Sequence, residues 1–197
     1  MHIQKNLTGR EITLFSCVFL LVFFIFVNGI GSAKGYQVVN TDSAKQAIQV
    51  LEQEIASDPE NISLHLRLGY LYLDIERWDM AMSLFDTCLE LDKLLAEAMN
   101  GKGLAYYGKG ESAIIPVEVI KKLFKIDNYS KAEKQFKRAI ELKPDYLDPL
   151  YNLGVNYLAK GGVENYEKSV ESLKQVLEKD MVFKDADFML GVAYQHL

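Results

Sequence analysis

The chain has 197 residues, 49% of them hydrophobic and 25% charged, with a formal net charge of −5. These proportions exclude collagen-like and disordered classes and suffice for one domain with a real core. A net-acidic chain without surface aromatics interleaved among its basic residues is also a poor match to nucleic acid, so no nucleic-acid partner is expected.

The chain opens with Lys5 and Arg10, an unbroken apolar run from Ile12 to Val27, and then Asn28-Gly29-Ile30-Gly31-Ser32-Ala33. A positive flank, an apolar stretch and small residues at Gly31 and Ala33 form the pattern of a secretory signal, so residues 1–33 are expected to be cleaved. The competing reading is an uncleaved inner-membrane anchor over residues 12–30, a length that just suffices to span. Either way the positive flank stays behind and the remainder is exported, to the periplasm in a diderm bacterium. Cleavage leaves Cys88 as the one thiol, at a helix position that wants a small residue, so it is expected to be buried and unpaired.

Residues 34–41 read as a linker. Ser43–Ser57 reads as a first helix with Ala47, Ile48, Leu51 and Ile55 on one stripe, closed by Asp58-Pro59. Asn61 then caps a helix reaching about Asp74, with Leu64, Leu68, Leu71 and Tyr72 facing inward. Gly69 within it costs roughly 1 kcal/mol against Ala. That cost makes sense where a neighbouring helix crosses closely. The partner helix runs from Trp78 to Leu91.

The next helix, Leu95 to Tyr107, is expected to stop at Gly108-Lys109-Gly110. Its partner is expected to start at Tyr129, where YSKAEKQFKRAIELKP places Ala132, Phe136, Ala139 and Ile140 on one stripe before Pro144 ends it. Between them the inserted AIIPVEVIKKLFKI predicts a short helix from Pro116. Val119, Ile120, Leu123 and Phe124 would face one way, and Glu118, Lys121, Lys122 and Lys125 the other. That apolar face is expected to fold back on its neighbours; the alternative is a docking element for a partner or a membrane surface. A further helix carries Tyr151, Leu153, Gly154 and Tyr157, Gly161-Gly162 lengthens a turn, and Tyr166–Lys179 follows. The last helix, Asp185–Leu197, with Phe188, Leu190 and Tyr194, is apolar for the end of a stack.

Two signals recur across these helices. Gly followed by Tyr three residues later occurs at Gly69/Tyr72, Gly103/Tyr106, Gly154/Tyr157 and Gly191/Tyr194, with glycine steps of 34, 51 and 37 residues. An aromatic, a small and a large apolar residue recur on the following helices: Trp78/Ala81/Phe85, Tyr129/Ala132/Phe136 and Tyr166/Ser169/Leu173. A period of 34 with this pattern resembles the tetratricopeptide repeat (TPR) family over residues 42–197, apart from an insertion at about 109–127. Ala47/Leu51/Pro59 resembles the second helix of a degenerate leading repeat. The resemblance implies an all-α, right-handed superhelix, an α-solenoid of antiparallel helix pairs, with about three repeats and a half-repeat at each end. Lys102, Lys93, Met181 and Cys88 depart from the family's usual Leu, Pro, Pro and Ala.

The resemblance also implies a concave groove lined by the first helices of successive repeats, which receives an extended or helical segment of a protein partner. Matching positions are Ser63, Leu66, Tyr70, Leu73 and Asp74, then Glu97, Asn100, Leu104 and Tyr107. They continue with Asp148, Tyr151, Val155 and Leu158, and finally Phe188, Val192 and Gln195. Their mixture suits an amphipathic peptide. In a tight superhelix some of them would contact only each other.

Charge is uneven along the chain. Residues 42–98 hold 12 acidic and 4 basic groups, residues 99–144 hold 5 and 10, and residues 145–197 hold 9 and 5. The basic belt comprises Lys121, Lys122, Lys125, Lys131, Lys134, Lys137 and Arg138, a patch that would steer an acidic partner or anionic lipid heads. After removal of residues 1–33 the histidines are His65 and His196, in different units. With no ligand spacing, phosphate loop or nucleophile motif, neither an enzyme nor a cofactor or metal site is expected. The function that follows is an exported adaptor for envelope-complex assembly; the alternative is a self-associating structural subunit.

Overall fold

The computed structural model describes residues 41–112 and 118–197. These residues form eight helices: α1 (Thr41–Ser57), α2 (Ile62–Asp74), α3 (Trp78–Leu91), α4 (Ala96–Glu111), α5 (Glu118–Leu142), α6 (Leu147–Lys160), α7 (Val163–Lys179) and α8 (Ala186–Gln195). The apolar run near the N-terminus, residues 34–40 of the linker and Pro116 lie outside the described residues, while Thr41, assigned to the linker, already belongs to α1.

Each helix packs on the next, and α2, α4, α6 and α8 also pack on one another in series, whereas α3, α5 and α7 do not. The even-numbered helices therefore line the shorter, inner arc of the stack, and the odd-numbered ones form its outer layer. The described residues form an all-helical solenoid of antiparallel pairs.

Glycine and aromatic residues set the spacing between layers. The Phe85 ring of α3, fully buried, lies against both Gly69 of α2 and Gly101 of α4, and a Cβ on Gly69 would sit 2.7 Å from it. Phe136 of α5 lies against Gly103 in the same way. In the third pair Leu173 replaces the ring, 2.8 Å from where a Cβ on Gly154 would be. Ser169 Oγ, also buried, donates to the Gly154 carbonyl at 2.8 Å. Interiors are packed too densely to admit even one extra methyl at such crossings, which accounts for glycine there despite its helix penalty.

The stretch expected to end α4 does not end it. Gly108 and Gly110 lie inside the helix, and each seats an aromatic ring: Trp78 of α3 is 2.6 Å from a Cβ built on Gly108, and Tyr129 of α5 is 2.9 Å from one on Gly110. Gly101 and Gly108, seven residues apart, face α3; Gly103 and Gly110 face α5. Four glycines thus bring α4 close to helices on two sides.

The expected short helix beginning at Pro116 and the separate start at Tyr129 are likewise corrected: one helix of 25 residues runs from Glu118 to Leu142. Tyr129, Ala132, Phe136 and Ala139 are buried as anticipated. Folding the insertion's apolar face back onto the stack is not observed. Ile120 is 54% exposed, Leu123 63% and Phe124 37%. The helical phase explains it: nine residues, two and a half turns, separate Ile120 from Tyr129 and Leu123 from Ala132, so both lie opposite the buried stripe, while Phe124 sits at its edge one turn before Asn128.

Smaller differences follow the same logic. In α1 the buried positions are Ala44 and Leu51, seven residues apart, while Ala47 is exposed. Asn61 caps α2 as expected, its side chain accepting from Leu64 N. Gly161 and Gly162 turn the chain at φ +73° and +91°, a region open to glycine at no steric cost. Cys88 is fully buried, and burial pushes its thiol up to about 11.

Candidate functional site

The inner arc is built from the exposed sides of α2, α4, α6 and α8 and from the loops that enter them. Of the positions assigned to the groove, Leu66, Tyr70, Glu97, Leu104, Asp148, Leu158 and Val192 are half-buried, and Ser63, Asp74, Phe188 and Gln195 are exposed. Leu73, Asn100, Tyr107, Tyr151 and Val155 are buried and offer little contact surface. Their side chains are taken up by neighbouring helices, as a tightly curved stack requires.

Asn100 is the centre of a polar link between two successive repeats. It accepts from Asn152 Nδ2 at 2.9 Å and donates through its own Nδ2 to the Tyr146 hydroxyl at 3.3 Å. Tyr70 O–H donates to the Glu97 carbonyl at 2.9 Å, and its ring meets Phe85 edge-on at 5.2 Å. Burial raises the Tyr70 hydroxyl above its ordinary range, so it stays a neutral donor. Tyr107 stacks obliquely on Tyr129, with centroids 5.8 Å apart, and burial pushes its hydroxyl well up. The Tyr129 hydroxyl donates to Glu111, while its carbonyl accepts from Asn156 Nδ2 at 3.0 Å.

Two lysines from inter-repeat loops clasp the inner arc. Lys143 bonds Glu97 at 2.7 Å and lies over the Tyr146 ring, and Lys184 bonds Asp148 at 2.7 Å and lies over the Tyr151 ring. The Lys143 bond holds the Glu97 carboxyl below its usual value. Glu97 and Asp148 occupy equivalent places, the second residue of α4 and of α6. The Tyr151 hydroxyl donates to Asp185. The sequence reading missed Lys143, Tyr146, Asn152, Lys184 and Asp185. Apart from Asn152, which lies within α6, these are loop residues with no helical phase to show which way they turn, although the Lys143 and Lys184 positions both follow an outer helix.

The outer layer carries a second feature. A cleft of about 620 Å³ is lined by Glu133, Lys134, Lys137, Arg138, Glu141 and Lys160, along with Ser130. Glu133 is its fixed point, accepting from Lys137 at 2.7 Å, Lys160 at 2.9 Å and the Tyr157 hydroxyl at 3.0 Å. Burial alone would raise this carboxyl, but the three donors win and hold it at about 2. Within the basic belt, Lys125 pairs with Glu111, Lys131 with Asp127 and Lys137 with Glu133. Lys122, Lys134 and Arg138 are exposed and have no carboxylate partner among the described residues, and the side chain of Lys121 lies outside them. No group of three or more His, Cys, Asp or Glu side chains suited to a metal occurs among the described residues. His65 is buried, with Nε2 on the Pro59 carbonyl at 2.7 Å, and His196 stacks on Tyr166.

Two family profiles match this architecture: one described as tetratricopeptide repeat over residues 64–98, and one as TPR repeat over residues 121–161. The chain carries tetratricopeptide repeats. Among solved structures it resembles that of MamA at 26% identity and a TM-score of 0.58, with 79% of each chain covered. It also resembles a thermophilic TPR protein of Thermus thermophilus at 17% identity and a TM-score of 0.64, covering 81% of this chain and 77% of that one. A third is the first TPR of Spaghetti bound to an HSP90 peptide, SRMEEVD, at 17% identity and a TM-score of 0.54, covering 70% and 94%. No curated protein sequence matches the chain. The TPR solenoid is an interaction fold, and proteins built on it are generally non-catalytic scaffolds.

Proposed function

We propose that this TPR protein is an exported adaptor that receives a segment of a partner protein along its inner arc and assists assembly of an envelope complex. The observation that carries the binding reading is the half-buried row Leu66, Tyr70, Leu104 and Leu158, flanked by Asp74, Glu97 and Asp148. Apolar side chains left partly open along a polar rim, where Lys143 and Lys184 already hold Glu97 and Asp148, fit an amphipathic segment. A neighbour of the same fold captured with a peptide supports a general peptide-binding role. Export rests on Lys5, Arg10 and the Ile12–Val27 run.

A second reading, a self-associating subunit, is favoured by α8, where Phe188 is 56% and Tyr194 49% exposed. Photo-reactive residues at Leu66, Leu104 and Leu158, activated in the native envelope and followed by mass spectrometry, separate the two. Crosslinks from all three sites to one foreign protein are expected. Crosslinks only to further copies of this chain would overturn the adaptor reading.

A further inference from the structure

The outward face of α5 is divided lengthwise. Its first half presents Ile120, Leu123 and Phe124, all exposed. Its second half presents Lys131, Lys134, Lys137 and Arg138, also exposed. Helical phase puts the two halves in line: Ile120 and Arg138 are five full turns apart, and eleven residues, close to three turns, separate Leu123 from Lys134. The opposite side of the helix is committed to the stack through Tyr129, Ala132, Phe136 and Ala139, and Lys125 turns back to Glu111.

We infer that this face is a membrane-surface element, with Ile120, Leu123 and Phe124 entering the headgroup boundary of an anionic bilayer while Lys134 and Arg138 contact lipid phosphates. Three observations select a bilayer as occupant. Ile120, Leu123 and Phe124 form an exposed apolar ridge within two turns of one helix, which fits a planar boundary. The cations in line with them include two without carboxylate partners among the described residues, complementary to an anionic surface. On the export reading proposed above, the Ile12–Val27 run of the same chain would enter a bilayer as signal or anchor. Residues 28–40, which follow it, span at most about 45 Å. This surface lies on the outer layer and does not depend on what the inner arc binds.

The test uses the full chain carrying Cys17→Ser and Leu123→Cys, labelled with a polarity-sensitive dye. Cys88 is fully buried and stays unlabelled. A matched chain carries Gln53→Cys on the exposed side of α1 instead. Each is mixed with vesicles of phosphatidylcholine alone or with added phosphatidylglycerol. The expected result is a blue shift at position 123 with anionic vesicles only, and none at position 53. Adding Lys134→Gln and Arg138→Gln should raise the lipid concentration for half-maximal shift roughly 30-fold. These positions are exposed, so thermal unfolding should be unchanged. An unshifted dye at position 123 on chains that nevertheless co-sediment with anionic vesicles would overturn the inference. So would equal shifts on neutral lipid, or a shift that requires an added protein.

Discussion

Gly69 in α2 and Gly191 in α8 hold the same place in the repeat, yet their surroundings are opposite. A Cβ on Gly69 would strike the Phe85 ring, whereas one on Gly191 would meet nothing within 4 Å. The glycine of α2 is a constraint imposed by a partner helix that is present. The glycine of α8 follows the same periodic pattern where only α7 and α6 pack among the described residues. The contrast shows that a repeat residue is explained by its contacts, and that the same letter costs different amounts in different units.

The largest test removes the side chain that fills the first socket. Phe85→Ala leaves Gly69 and Gly101 facing a cavity and is expected to destabilise the fold by about 3–5 kcal/mol, read from the urea midpoint of the helical stack. A loss below about 1 kcal/mol would mean that the rings do not set the helix spacing.

A paired substitution sharpens the contrast further. Gly101→Ala forces a methyl into the Phe85 ring and is expected to cost about 1–3 kcal/mol. Gly191→Ala, inside a helix with open space beside it, is expected to stabilise by up to about 1 kcal/mol. If Gly191→Ala instead destabilises, another chain or segment already occupies that socket, and the self-associating reading gains.

The smallest difference is electrostatic. The junction of α5 with α6 is clasped by Glu133, for which α8 shows no counterpart among the described residues. The folded value of Glu133, about 2, lies below its ordinary 4.5. Its contribution is therefore complete above pH 4.5 and is lost as pH falls towards 2. Glu133→Gln should lower the melting temperature at pH 6 by removing charge-assisted bonds, an effect of about 1–2 kcal/mol. It should also flatten the melting curve's pH dependence between those two values. An unchanged pH profile would show that the lysines and Tyr157 do not act through this carboxylate.

Much of the architecture was legible before any contact was seen. The Gly/Tyr spacing and the Trp78/Ala81/Phe85 and Tyr129/Ala132/Phe136 triplets report helix faces, and faces follow from local phase. Gly108 and Gly110 were misread as a stop because glycine weakens a helix locally. What rescues them are rings from Trp78 and Tyr129, which no local window contains. The groove was legible as positions only. Tyr107 and Tyr151 have the right phase to line it, but curvature draws the inner helices together and buries them.

The sequence by itself determined the buried faces of most helices, their antiparallel pairing and their period, because periodicity along one chain carries that information. The tertiary structure alone decided which glycines are sockets, that α5 is a single helix with its apolar half facing outward, and that Lys143 and Lys184 clasp Glu97 and Asp148. Those outcomes depend on the distance between residues remote in sequence, set by how closely whole helices can approach.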